Sequence, residues 1–145
     1  MLLLGARRTV LRHREVTTMA GFLDARNRSS LALAYEDPNQ AAREMDGYAW
    51  EVPKVPTPFV GAASAPGVYG NATINAMQFR AAAEVAIPKP EGRFRIFVTG
   101  GSTAFGVGAP SQDRTITGYL EALLARELEP ATAVQYEVWN TANTA

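Results

Sequence analysis

Arg93-Phe-Arg-Ile-Phe-Val-Thr-Gly-Gly-Ser-Thr-Ala-Phe-Gly106 is the stretch whose reading decides the fold. Phe94, Ile96 and Val98 alternate onto one face, and Phe97 makes the other face apolar as well. A short run apolar on both faces reads as an inner strand of a parallel sheet. Gly100 and Gly101 then remove Cβ where the chain must turn sharply, and they let backbone N–H groups approach a ligand. The turn presents Ser102 at its tip.

Downstream of the turn, Gly106-Val-Gly-Ala-Pro110 reads as a loop, and Asp113 is the expected N-cap of a helix. Ile116, Tyr119, Leu120, Leu123 and Leu124 recur at helical spacing and form one apolar stripe, with Glu121, Arg126 and Glu127 off it. Core packing is the expected use of that stripe, and partner binding is the alternative. Pro130 ends the helix, because the residue before a proline avoids the helical region. Val134, Tyr136 and Val138 alternate as a second strand leading into Trp139-Asn140. Strand, turn, helix and strand in that order make one βαβ unit, expected to be parallel and right-handed. A ligand site is expected at the carboxyl ends of its strands, where Ser102 and residues Asn140 to Ala142 fall.

Upstream, residues 51–90 hold six of the nine prolines, together with Gly61, Gly67 and Gly70. They read as an extended, turn-rich segment. Phe59, Tyr69, Ile74, Met77 and Phe79 make this segment too apolar for a free linker, so it is expected to pack as a strap on the domain that follows. Within it Arg80 has two readings: a contact to substrate, or a pairing with a local carboxylate or carbonyl. Residues 1–50 form an N-terminal helical and basic arm. Arg7, Arg8, Arg12, Arg14, Arg26 and Arg28 face only Glu15 and Asp24 across its first thirty residues. A loosely ordered solvated arm and a basic binding segment are both consistent with that pattern. Asp37-Pro38 starts a short helix over 38–46, and Gly47 stops it.

The chain of 145 residues allows one domain at most. Fourteen basic and fourteen acidic residues cancel, so no bulk field recruits nucleic acid or an anionic membrane surface. Membrane association by other means stays open. The absence of cysteine excludes disulfides and thiolate metal sites. The apolar Met1-Leu-Leu-Leu start is followed at once by Arg7 and Arg8, too soon for a secretory core of about 7–15 apolar residues or a spanning helix of about 20. The compartment is not legible from these features.

Three chemistries compete for a glycine turn after a strand. A phosphate loop needs Lys and Ser/Thr after its second glycine, and Val107-Gly108 stands there instead. A dinucleotide turn of the short-chain reductase kind needs a glycine where Ala104 stands. It also needs a helix start directly on the pyrophosphate and an acid at the end of the second strand, where Asn140 is found. The third chemistry is a serine nucleophile. The alternative for Ser102 is a hydroxyl that merely caps the backbone of a tight turn.

The ordered set resembles the SGNH (GDSL-like) hydrolases over residues 70–145. It runs Ile74-Asn75, Phe79-Arg80, a Lys-Pro segment, Arg95-Ile-Phe-Val, Gly-Gly-Ser-Thr in place of Gly-Asp-Ser-Leu, the Thr117–Leu124 helix, and Asn140-Thr-Ala142. The resemblance implies an α/β class chain, the N-terminal and incomplete part of a three-layer α/β/α sandwich with a parallel, flavodoxin-like sheet. Residues 91–145 would begin the hydrolase domain. Ser102 would attack an ester or acyl carbonyl of a small molecule, and its own N–H would be one oxyanion donor. The backbone N–H of Ala142, aligned with a family glycine, would be a second donor. Gly101, Thr103, Asn140 and Arg80 would lie along the substrate. No cofactor and no metal are implied. Members of that family carry Gly-x-Asn-Asp and Asp-x-x-His blocks further on, and neither occurs here. His13, the single histidine, lies upstream in the basic arm. The expectation is therefore an N-terminal portion of a serine hydrolase, inactive alone because serine is a poor nucleophile without a base. The alternatives are an NAD(P)-dependent short-chain-type reductase and a non-catalytic binding domain.

Overall fold

The structure is a computed structural model that describes residues 24–144, and the chain divides into two units after Met45. Arg7, Arg8, Arg12, Arg14 and His13 lie outside the described residues. In the first unit, α1 (Ala25–Ala32) starts at Asp24, whose side chain accepts the Asn27 N–H. Helix α2 (Pro38–Glu44) starts at Asp37, whose side chain accepts the N–H groups of Asn39 and Gln40. A 3-10 turn, Met45–Gly47, follows, so the expected helix stops being α-helical two residues early.

The second unit is mixed α/β. The strap is built as two hairpins, which the reading of its prolines and glycines did not resolve. In the first, β1 (Lys54–Thr57) pairs antiparallel with β2 (Gly61–Ser64). In the second, β3 (Gly67–Tyr69) pairs antiparallel with β4 (Ala72–Ile74) across Gly70-Asn71. The later part of the unit holds β5 (Arg93–Val98), α3 (Ser102–Phe105), α4 (Ile116–Glu127), α5 (Glu129–Thr132) and β6 (Gln135–Asn140). Strands β5 and β6 are parallel, in register from Arg93 opposite Gln135 to Val98 opposite Asn140. They join β3–β4 in one sheet through a single residue, because Arg80 bridges Ile74 on one side and Asn140 on the other.

Strand β5 differs from the expected inner strand. Phe94 and Phe97 are 56% and 54% exposed. One face of the strand pair carries charge: Glu137 of β6 takes hydrogen bonds from Arg93 (2.7 Å) and Arg95 (2.5 Å) of β5. Arg95 also donates to the Ala86 carbonyl of the strap (2.6 Å). Phe79 packs edge-on to Phe97 and tilted to Trp139 on the same face. The outer edge of β6 is blunted, since Glu129 accepts the Tyr136 N–H and Glu121 the Val138 N–H.

Helix α4 starts on Thr115 and not on Asp113. The Thr115 hydroxyl accepts the Gly118 N–H (3.1 Å) and donates to the Gln112 carbonyl (2.7 Å). Thr117 is the buried side chain, facing Thr115 and Asn140. This rotation leaves Ile116, Tyr119 and Leu123 half exposed, so the expected core stripe is only partly covered. Pro130 sits in the first turn of α5, where a missing N–H costs nothing, so it opens a helix as well as closing one. Among the described residues no helix is long and apolar enough to cross a membrane.

Candidate functional site

The parallel pairing runs on past the ends of β5 and β6. Thr141 N–H donates to the Val98 carbonyl and Asn143 N–H to the Gly100 carbonyl, each at 2.9 Å. The chain therefore arrives at the turn held by its neighbour. Gly100 has φ 155°, and a Cβ there would stand 2.7 Å from Ala104 Cβ. That contact restricts the position to glycine. Gly101 is the N-cap of α3 and supplies no side-chain cap.

Ser102 is the first residue of α3, on the solvent side, with Gly101 and Thr103 also exposed. Among the described residues no hydrogen bond engages its hydroxyl. The capping role open to that hydroxyl is thus not realised. The Ser102 carbonyl, by contrast, accepts both Gly106 N–H and Val107 N–H at 3.0 Å. The N–H groups of a helix's first turn have no intrahelical acceptor and point outward from its start.

The other end of α3 is buried. Phe105 lies in the core with Ala49, Val52, Ala72, Ile74 and Ala142. Gly106 closes the helix in the left-handed region at φ 87°, where a Cβ would meet Thr115 Cγ2 at 2.7 Å. Two side chains take the helix-end carbonyls. Asn140 Nδ2 donates to Ala104 and Phe105 (3.1 Å each). Arg80 Nη1 donates to Phe105 (3.1 Å) and Gly106 (2.6 Å).

Arg80 and Asn140 are both buried, with their side chains on the carbonyls at the end of α3. Arg80 is 0% exposed and reaches inward, with its guanidinium 5.2 Å from the Phe105 ring centroid. Its Nε donates to Gln112 Oε1 (3.1 Å), and Gln112 Nε2 returns a bond to the Arg80 carbonyl (3.0 Å). Burial pulls the guanidinium down to about 10, which still leaves it charged at neutral pH. The guanidinium pairs with carbonyls, but these lie 25 and 26 positions along the chain, not next to Arg80 in sequence. Asn140 is equally buried, and its Oδ1 accepts the Ala142 N–H at 3.2 Å. The candidate second oxyanion donor is therefore committed within its own turn.

Sequence reasoning missed Lys54 and Asn143. Lys54 Nζ donates to Ser64 Oγ (3.2 Å) and to Asn143 Oδ1, and lies 5.9 Å from the Phe105 ring centroid. Burial lowers the pKa of its ammonium. Asn143 Nδ2 in turn donates to the Ala62 carbonyl (2.5 Å). These bonds seat the first hairpin against the carboxyl end of the strands, next to Gly100. No local pattern announces a contact across 89 positions of sequence. A cavity of about 360 Å³ between the strap and β6, lined by Arg93, Gln112, Glu137 and Trp139 among others, does not include Ser102. Among the described residues no cluster of three or more acidic or histidine side chains is placed to hold a metal ion.

No protein-family model, curated protein or solved structure matches the chain.

Proposed function

We propose that Ser102 is the nucleophile of a serine ester or acyl hydrolase of the SGNH kind, mounted on the sheet of a three-layer α/β/α sandwich. One observation carries the reading. A serine opens a one-turn helix at the carboxyl end of a parallel strand, exposed and with an uncommitted hydroxyl, while the rest of that helix is fixed. The Ser102 hydroxyl attacks the acyl carbonyl, and its proton passes through a base to the leaving oxygen, which departs as an alcohol. Water then cleaves the acyl-serine ester to the free acid and restores the hydroxyl. The Ser102 N–H faces the developing oxyanion as a preset dipole. An oxyanion seeking the Ala142 N–H competes with Asn140 Oδ1 for it. The reductase alternative has less support, because the long helix begins at Ile116 and places no extended helix start on the turn.

Residues 24–144 contain no histidine, the base that a serine nucleophile of this kind ordinarily uses. The test is turnover of p-nitrophenyl acetate. Without added base the chain should match a Ser102→Ala variant. With imidazole as an external base, a burst of nitrophenol that Ser102→Ala lacks is expected. Equal traces for the two proteins at every imidazole concentration would contradict the proposal.

A further inference from the structure

We propose that Arg80 is the positioning residue of the Ser102 turn: it grips the buried end of α3 and thereby fixes where the serine hydroxyl and N–H point. The inference rests on the hydrolase reading only for its purpose, and its geometry stands without it.

Helix α3 has four residues, so it is a single turn whose two ends lie close together. Its exposed end carries Ser102, and its buried end offers the Phe105 and Gly106 carbonyls to one guanidinium nitrogen. The Gly106 N–H closes back onto the Ser102 carbonyl at 3.0 Å, so a shift at Gly106 is passed directly to Ser102. Arg80 is itself held on three sides. Its N–H donates to the Asn140 carbonyl (3.0 Å), its backbone bridges Ile74, and Gln112 grips it at both Nε and carbonyl. The clamp thus ties the turn to the strap hairpin, to β6 and to the loop before α4.

The chemistry of the clamp is costly for a purely structural part. No carboxylate among the described residues pairs with Arg80, and its Nη2 is buried without a partner. A buried cation satisfied only by carbonyls, an amide and a ring recovers its desolvation cost incompletely. A planar fork that reaches the helix-end carbonyls and Gln112 together does have a use: it sets an orientation that a flexible apolar chain cannot.

Amide hydrogen exchange on the full chain tests the proposal. In Arg80→Met, Gly106 and Val107 N–H, the two amides bonded to the Ser102 carbonyl, should exchange at least about tenfold faster than in the parent. Glu137 and Trp139 N–H of β6 should change by much less. A role confined to global stability would speed all four together, and that result overturns the proposal. If Arg80→Met does not fold, Arg80→Lys is read the same way, since an ammonium on a flexible stem lacks the planar fork. Unchanged or uniformly changed protection in Arg80→Lys also overturns it. The exchange result holds whether or not Ser102 reacts with esters. Should the imidazole burst be present, its rate should fall in the same variant while Ser102→Ala stays at background.

Discussion

Arg93 and Arg95 belong to β5 and Arg80 bridges the end of its partner β6, and the two sites hold their charge in opposite ways. The pair shares one carboxylate, Glu137, on the neighbouring strand, with Arg95 and Glu137 directly opposite in register. Arg80, at the carboxyl end, has carbonyls, an amide and an aromatic ring. The ion cluster locks one strand to another and gains Coulomb energy from doing so. The clamp gains little of that energy and instead holds a single helical turn beside an exposed serine. Charge near the amino end of this sheet therefore serves register, and charge at the carboxyl end serves placement.

Substitutions separate the two. Arg80→Met should cost the most, about 3 kcal/mol, because several charge-assisted hydrogen bonds vanish and Gln112 loses its acceptor role. Chemical denaturation measures it, and a stabilised variant would show that the clamp is dispensable. Glu137→Gln should cost about 2 kcal/mol, leaving Arg93 and Arg95 without their shared charge. Arg93 is partly solvated, which keeps the figure below that of a fully buried pair.

The same two sites differ in pH response. Burial of Glu137 works against its charge, but hydrogen bonds from Arg95, Arg93 and Trp139 outweigh it and hold the carboxyl below its ordinary 4.5. The unfolded chain then binds the proton more tightly than the folded one. The stabilisation is complete above about 4.5 and is lost as pH falls through the lower folded value. Denaturation midpoints of the parent should drop over that acid range relative to Glu137→Gln, and parallel curves would remove Glu137 from the account. Thr115→Val is expected to have the smallest effect, about 1 kcal/mol with no pH dependence, from loss of the α4 cap. Thermal unfolding at two pH values checks it.

The parts of the fold legible in the sequence are those with local causes. Strands β5 and β6 and helix α4 show through alternation and helical spacing, and the Asp37 cap shows through the proline after it. Gly70-Asn71 between Val68-Tyr69 and Ala72-Thr73 was a readable hairpin turn, masked by the prolines around it. Asp113 and Thr115 are both good caps two positions apart, and Thr115, buried and bonded to the Gln112 carbonyl and Thr117, is the one used. Ser102 was legible as the tip of the turn. Its one-turn helix was not, because four residues carry no period. The inward turn of Arg80 depends on carbonyls 25 and 26 positions away, which no local pattern encodes.

The central claim is that Ser102 is mounted to react. Incubating the chain with an alkyl fluorophosphonate and imidazole, then mapping the adduct by mass spectrometry against Ser102→Ala, addresses it most directly. A phosphonyl adduct on Ser102, ahead of Ser111 and the exposed Tyr119, is the predicted result. An unmodified Ser102, or modification spread without preference over the exposed hydroxyls, would contradict the account.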